Sequence, residues 1–232
     1  MRPEDCESVR ALSLFRDMDA TTFEELVAAA YLQRFPAQIE LIKEGDPADF
    51  LYIMVEGCVE LFSSANGRES TMAMVRPVST FILAATIKDA PYLMSGRTTE
   101  PSKILLIPSD DVRHAFAVDE AFARAIVVEL ANCYRAVVKS MKNLKLRTSV
   151  ERVANYILRM QVRAGGASEL ELQIGKRTLA SMLGMTPENL SRAFAALQAH
   201  GVTVEGRRIM IDDGERLARY AKPTRLIDDP AG

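Results

Sequence analysis

The chain has 232 residues, with 29 Lys+Arg against 31 Asp+Glu, a formal net charge of −2, and 48% hydrophobic against 26% charged residues. That balance supports one large or two small domains with a real core and excludes wholesale disorder. No apolar run approaches the roughly 18 residues of a membrane span, and MRPEDCESVR opens acidic where a signal peptide is basic and then apolar, so the expected location is cytoplasmic, with no membrane partner.

Three scattered cysteines, Cys6, Cys58 and Cys133, argue against a disulfide framework or clustered thiolates, and only His114 and His200 offer imidazole. The charge is unevenly spread. Residues 147–232 hold 13 basic and 10 acidic groups, net +3, while residues 1–146 hold 16 and 21, net −5. A basic excess at the C-terminal end points to a polyanion-binding module there.

Helical spacing occupies residues 9–33 (Val9, Leu12, Leu14, Phe15, then Phe23, Leu26, Val27, Ala30), with Asp19–Thr22 as the N-cap region of a second helix. From residue 33 to 108 the texture becomes short β-rich runs: Glu40–Lys43, Phe50–Val55, Cys58–Phe62, Thr71–Val75 and Lys103–Ile107. Turn signals separate them, and Asn66-Gly67 is the strongest hairpin marker. Such strands predict a small barrel or sandwich. The apolar run Phe81–Ile87 reads as either a buried helix or a strand.

Ser109-Asp110-Asp111 reads as a helix cap, and helical spacing then covers 112–146 as a short helix and a long one. Along the long helix Ile126, Leu130, Cys133, Val137, Met141 and Leu144 recur near coiled-coil spacing, flanked by a second line of Val127, Tyr134 and Val138. The pattern fits the seam of a parallel homodimer and equally an amphipathic helix with one wide buried stripe.

A further helix (Val150–Val162), a loop at Gly165-Gly166 and a short strand (Leu170–Ile174) lead into Lys176–Val202. There a helix over Arg177–Leu183 is stopped by Gly184, Met185 fills the corner, Thr186 caps a second helix and Pro187 takes its first turn. With Leu190, Ala193, Phe194 and Leu197 inward, Pro187, Glu188, Ser191 and Arg192 project from the half of the helix that enters a major groove. Arg192 suits guanine O6/N7, Glu188 suits cytosine N4, and Ser191 suits several base edges. Lys176, Arg177, Thr186, Arg207 and Arg208 are expected at phosphates, the last two on a wing hairpin over Val202–Ile211. A last helix covers Asp213–Tyr220. The domain reading is a sensory domain at 1–110, hinge and dimerisation helix at 111–146, a winged helix-turn-helix at 147–222, and a loose tail at 223–232.

Three stretches in order carry a family resemblance. EGDPADFLYIMVEGCVELF (Glu44–Phe62), KNLKLRTSVERVANYIL (Lys142–Leu158) and LGMTPENLSRAFAAL (Leu183–Leu197) resemble the β-roll, the dimerisation helix with its hinge, and the recognition element of the CRP/FNR superfamily of bacterial transcription regulators. The resemblance implies an α+β chain: a cyclic-nucleotide-binding-type β-roll, a long dimerisation helix and a C-terminal winged helix-turn-helix. Glu188, Ser191 and Arg192 match the E-x-x-S-R pattern of FNR-like readers. The implied partners are double-stranded DNA with a two-fold operator related to TTGAT-N4-ATCAA, a second copy of the chain, and RNA polymerase. Pro187 stands where CRP has arginine, which disfavours a TGTGA site.

In that family cyclic nucleotides are held by an F-G-E…R-[ST]-A cassette, whose polar anchors fall here on Ile82, Leu83, Leu93 and Met94. A buried phosphate without a cation is very costly, so the expectation is no cAMP and an apolar effector pocket that takes a hydrophobic ligand or is closed by its own side chains. Only Cys6 lies where FNR gathers most of its cluster ligands, so no iron–sulfur cluster is expected. Phe81–Pro108 is also similar to the NnrR/Dnr-like branch of nitric-oxide-responsive regulators, which implies haem, with His114 near the barrel–helix junction as the candidate ligand. Two other classes share parts of this pattern: a ligand-gated module acting on a protein partner, and a cupin-like enzyme, disfavoured because no strand carries a histidine.

Overall fold

The computed structural model describes residues 3–229, with side chains from Cys6 onward, and divides into two units, residues 1–132 and 133–232. In the first unit, helices α1 (Pro3–Arg10) and α2 (Ala20–Ala28) precede strands β1 (Tyr31–Phe35), β2 (Glu40–Ile42), β3 (Phe50–Glu56), β4 (Val59–Ala65), β5 (Arg68–Val75) and β6 (Ser79–Phe81). Helix α3 (Leu83–Lys88), strands β7 (Ser95–Thr98) and β8 (Ser102–Pro108), helix α4 (Ser109–Val118) and the start of α5 (Glu120–Leu146) follow. The strands form two antiparallel sheets, ordered β1-β8-β3-β6 and β2-β7-β4-β5.

The sheet order explains why β3 is continuously apolar rather than alternating. Its Tyr52 and Met54 face the roll interior with Leu61, Phe81 and Ile104, while Leu51 and Ile53 face a second core built by α1, α2, α4 and α5. A strand covered on both faces needs apolar residues at every position. Between β4 and β5, Asn66 (φ 53°) and Gly67 (φ 73°) make the expected two-residue hairpin, the conformation that favours Asn-Gly.

Several local expectations are corrected. The 9–33 helical stretch breaks at Arg10, and its end becomes β1, where Tyr31 pairs opposite Leu106 of β8. Phe81–Ile87 is neither one helix nor one strand, because Ile82 (φ 68°) turns the chain from β6 into α3. Ser109 does not cap α4; its hydroxyl donates to the Ala48 carbonyl at 2.5 Å, and Pro108 occupies the cap position. The buried Asp119 carboxylate does cap α5, accepting from the Phe122 N–H at 2.8 Å and from the Asp19 N–H at 2.7 Å, so one side chain anchors the starts of both α2 and α5.

The second unit holds the rest of α5, then α6 (Ser149–Arg163), β9 (Glu169–Glu171), α7 (Lys176–Met182), α8 (Pro187–Leu197), β10 (Val202–Glu205), β11 (Arg208–Ile211), α9 (Gly214–Ala221) and α10 (Arg225–Asp228). Strands β10, β11 and β9 form one antiparallel sheet in that order. Thr148 opens α6 with a capping box, its hydroxyl accepting from the Glu151 N–H while Glu151 accepts from the Thr148 N–H at 2.8 Å. The core joins Val153 and Ile157 of α6 to Leu179 and Leu183, to Leu190, Phe194 and Leu197 of α8, and to Ile209 and Leu217. The predicted loose tail is not loose as far as Asp229, since Asp228 of α10 pairs with Arg147, between α5 and α6, and with Arg159 of α6, and the Asp229 carbonyl accepts from Lys139 of α5; residues 230–232 lie outside the described residues. Among the described residues no helix is long and apolar enough to cross a membrane.

Candidate nucleic-acid interface and sensory core

Helices α7 and α8 are joined by a turn whose backbone favours glycine. Gly184 takes φ 62°, and a Cβ there would lie 2.6 Å from Leu144 Cδ2. The Met185 N–H closes the turn on the Ala180 carbonyl at 3.0 Å, and the Thr186 hydroxyl accepts from the Asn189 N–H at 3.3 Å to start α8. Glu188, Asn189, Ser191 and Arg192 are all exposed on the N-terminal half of α8, and Ala195 and Ala196 continue that face without bulk. The Ser191 hydroxyl donates to the Pro187 backbone carbonyl at 3.0 Å, and Arg192 Nη1 donates to the Asn189 side-chain oxygen Oδ1 at 3.5 Å. The Glu188 carboxyl is held below its ordinary pKa, first by its own backbone N–H, then by the Thr186 hydroxyl, with the Arg192 charge adding. Asn189, outside the expected readers, shares this exposed face. Its amide suits adenine N6/N7, and its third-helical-position spacing beside Glu188 was the available signal.

The expected phosphate contacts differ among themselves. Lys176 lies with Nζ 5.6 Å from the Phe194 ring centre, and Arg177 is exposed. The Thr186 hydroxyl is engaged in capping. Arg207 donates from Nε and Nη2 to the Leu172 carbonyl at 2.9 and 2.5 Å and pairs with Glu171 at 3.6 Å; Arg208 donates to Glu169 at 2.7 Å. Both wing arginines therefore have internal partners that phosphate would have to replace.

On α5 the two apolar lines separate. Ile126 is fully buried and Leu130 half-buried against the helical core of the first unit, so these two expected seam residues are core residues. Cys133, Val137, Met141 and Leu144 are exposed, and with them the line Val127, Ala131, Tyr134, Val138 and Met141, spaced 4, 3, 4 and 3 residues apart. From Cys133 onward both lines face solvent, so only the start of the first line, Ile126 and Leu130, is taken into the core.

The four cassette positions do not converge. Leu83 is buried in the helical core, Ile82 and Met94 pack beside the roll interior, and Leu93 is 81% exposed, so Leu93 is corrected from a pocket residue to a surface one. The interior is occupied by aromatic rings. Tyr52 and Phe81 stack at 5.2 Å, the Tyr52 hydroxyl donates to the Leu41 carbonyl at 3.3 Å, and the Tyr92 hydroxyl donates to the Phe50 carbonyl at 3.5 Å. Burial pushes both phenols above their ordinary pKa. Arg97, three residues after the last cassette position, is held by the buried Glu60 at 2.9 Å and by Glu69 at 2.5 Å, over the Phe62 ring.

A groove of about 640 Å³ opens elsewhere in the first unit, with Leu12, Asp17, Ile53, Thr80, Arg124 and Glu129 in its walls. Its lining includes no His, Cys, Met or Tyr, and His114 is exposed on α4, outside that lining. The groove therefore offers no side chain that could serve as a haem axial ligand. Among the described residues, no cluster of three metal-ligating side chains occurs.

A β-roll, a long helix and a winged helix-turn-helix in one chain define a DNA-binding regulator with a ligand-sensor-type domain. Residues 32–119 match the cyclic nucleotide-binding domain family, and residues 151–220 match the Crp-like helix-turn-helix domain family. With both domains in that order, the chain belongs to the CRP/FNR family of DNA-binding transcription regulators. It is 24% identical over 222 residues to the CRP-like cAMP-activated global transcriptional regulator of Mycobacterium tuberculosis, covering 93% of this chain and 99% of the relative. FixK2 from Bradyrhizobium japonicum superposes with a TM-score of 0.70 at 25% identity, over 82% of this chain and 96% of that one. DNR from Pseudomonas aeruginosa, at 23% identity and a TM-score of 0.51 over 95% and 99% of the two chains, shares the fold.

Proposed function

We propose that the protein acts as a homodimer that reads a two-fold, TTGAT-like operator through Glu188, Ser191 and Arg192, with Asn189 beside them. The observation that carries this reading is the exposed N-terminal half of α8, where a carboxylate, an amide, a hydroxyl and a guanidinium share one unobstructed face. The solvent-facing heptad line of α5 supports the dimer, because an isolated helix gains nothing from exposing Tyr134, Val138 and Met141. A gel shift with a TTGAT-N4-ATCAA duplex against a scrambled duplex tests the assignment, and equal affinity for the two would overturn it. As a regulator of this family it would act from the cytoplasm through RNA polymerase, and not as an enzyme.

The mycobacterial relative is cAMP-activated, but this chain is read as cAMP-independent. Its cassette positions are apolar and scattered, and Arg97 is already neutralised by Glu60 and Glu69. Nitric oxide or redox stress is the signal class that the resemblance implies, and it is proposed here without haem. Of the thiols with described side chains, Cys133 is exposed on α5, Cys6 is half-buried, and burial pushes the Cys58 thiol pKa up, away from the reactive thiolate. An absorption spectrum with added haem and nitric oxide tests this: a Soret shift would overturn the haem-free reading.

A further inference from the structure

The segment after α9 turns back at Lys222 (φ 47°), and α10 delivers Asp228 to the junction between α5 and α6. Its carboxylate accepts from both terminal nitrogens of Arg147, at 2.8 and 2.5 Å, from Arg159 at 2.9 Å and from the Thr224 N–H at 2.8 Å. The Arg147 and Asp228 side chains are only 7% and 10% exposed. Lys139 of α5 donates to the Asp229 carbonyl at 2.8 Å, and the buried Asn155 of α6 donates to the Ala221 carbonyl at 2.8 Å. Burial alone would raise the pKa of the Asp228 carboxyl, but the hydrogen bonds from Arg147 and Thr224 and the two guanidinium charges outweigh it and hold the group ionised.

Arg147 is not an arbitrary attachment point. Its carbonyl accepts from Arg152 Nη1 at 2.8 Å, and Arg152 Nε donates to the Leu183 carbonyl at 2.8 Å, in the turn before α8. Three residues earlier, Leu144 abuts Gly184 of the same turn. The end of α5 is therefore tied to the recognition turn on one side and to Asp228 on the other.

We infer that Asp228 is a positioning residue: by clamping Arg147 and Arg159 it fixes the recognition helix relative to the end of α5, and so sets the half-site spacing that the regulator accepts. The inference rests on the dimeric DNA-binding reading above. In a two-site complex, affinity collapses when geometry forbids simultaneous engagement, so a rigid reader discriminates sharply between spacings and a loosened one does not.

The test is fluorescence anisotropy on duplexes with two TTGAT half-sites whose spacer is lengthened or shortened by one base pair. The full chain should prefer one spacer by about tenfold or more; Asp228→Asn should cut that preference to about threefold or less, and Asp228→Glu should restore much of it. A merely stabilising role would lower affinity equally at every spacing, and either that result or an unchanged preference in Asp228→Asn overturns the clamp. Circular dichroism checks that the variants fold. If Asp228→Asn does not fold, Arg159→Gln removes one arm and keeps the paired Arg147 contact; a partly broadened preference supports the clamp and an unchanged one overturns it. Failure of the unmodified chain to bind any of the duplexes overturns the operator reading, and the clamp with it.

Discussion

Leu144 at the end of α5 lies against Gly184 in the helix-turn-helix turn, so close that a Cβ on Gly184 would stand 2.6 Å from Leu144 Cδ2. The main cost of Gly184→Ala is the left-handed backbone at φ 62°, worth roughly 1–2 kcal/mol for a residue with a Cβ, since the atom it would meet is the end of the Leu144 side chain, itself 43% exposed and able to turn aside. The variant should lose about 1–2 kcal/mol of unfolding free energy in urea, and adding Leu144→Ala should recover little of it, because the backbone cost remains. Unfolding at the wild-type urea midpoint would show that the turn yields more easily than this geometry allows.

Removing Arg192 should separate specific from general DNA binding. Arg192→Ala is expected to cost about 1–3 kcal/mol on the operator and little on a random duplex. Arg177→Ala, on an exposed side chain with no base to read, should weaken both alike and lower the salt slope by about one. Arg208→Ala should change the slope less, since that guanidinium already has Glu169 as a partner. Titrations at several salt concentrations measure all three.

The helix-turn-helix was legible in the sequence because its signals are local: a turn glycine, a capping threonine, a first-turn proline and a helical period of apolar residues. The inner face of Leu190, Ala193, Phe194 and Leu197 is buried as that period requires. The misreadings fall where distant chain segments decide. Tyr31–Phe35 became a strand because β8 offered it a ladder, and Ile126 became core because it joins the apolar cluster that also holds Leu51 and Ile53 of β3 and Phe23 and Leu26 of α2. Asp228 looked like part of a polar tail, since nothing near it in sequence announces two arginines 81 and 69 positions away. The effector cassette could be read as lost, but not where its replacements would lie: Leu93 and Leu83 end on opposite sides of the burial scale.

Acid should destabilise the second unit through two carboxylates. Glu151 is held below its ordinary pKa first by the Thr148 N–H and then by the Thr148 hydroxyl, and Asp228 is lowered by Arg147 and Thr224 against the opposing effect of burial. A depressed folded pKa adds stability that is complete above the unfolded value, near 4, and is lost as pH falls through the folded value. Thermal unfolding should therefore change little through these groups between about pH 7 and 5 and fall below about pH 4, with a shallower fall in Glu151→Gln. An equally steep fall in that variant would assign the acid sensitivity to other groups.

The two apolar lines of α5 predict opposite consequences for one substitution each. Ile126 is fully buried among Phe15, Phe122 and Leu105, so Ile126→Ala should cost about 2–5 kcal/mol of stability and leave self-association intact at temperatures where the chain is folded. Val138, on the exposed line with Tyr134 and Met141, should behave in reverse. Val138→Glu places a charge where a second copy would pack, while Val138 is not a core residue of the lone chain, so its fold should lose about 1 kcal/mol or less. Sedimentation should then report a monomer, and operator affinity should drop toward that of a single half-site, because the second reading helix is no longer tethered. If Val138→Glu stayed dimeric while Ile126→Ala dissociated, the seam would run along the Ile126 line, and the burial of that residue would need another explanation.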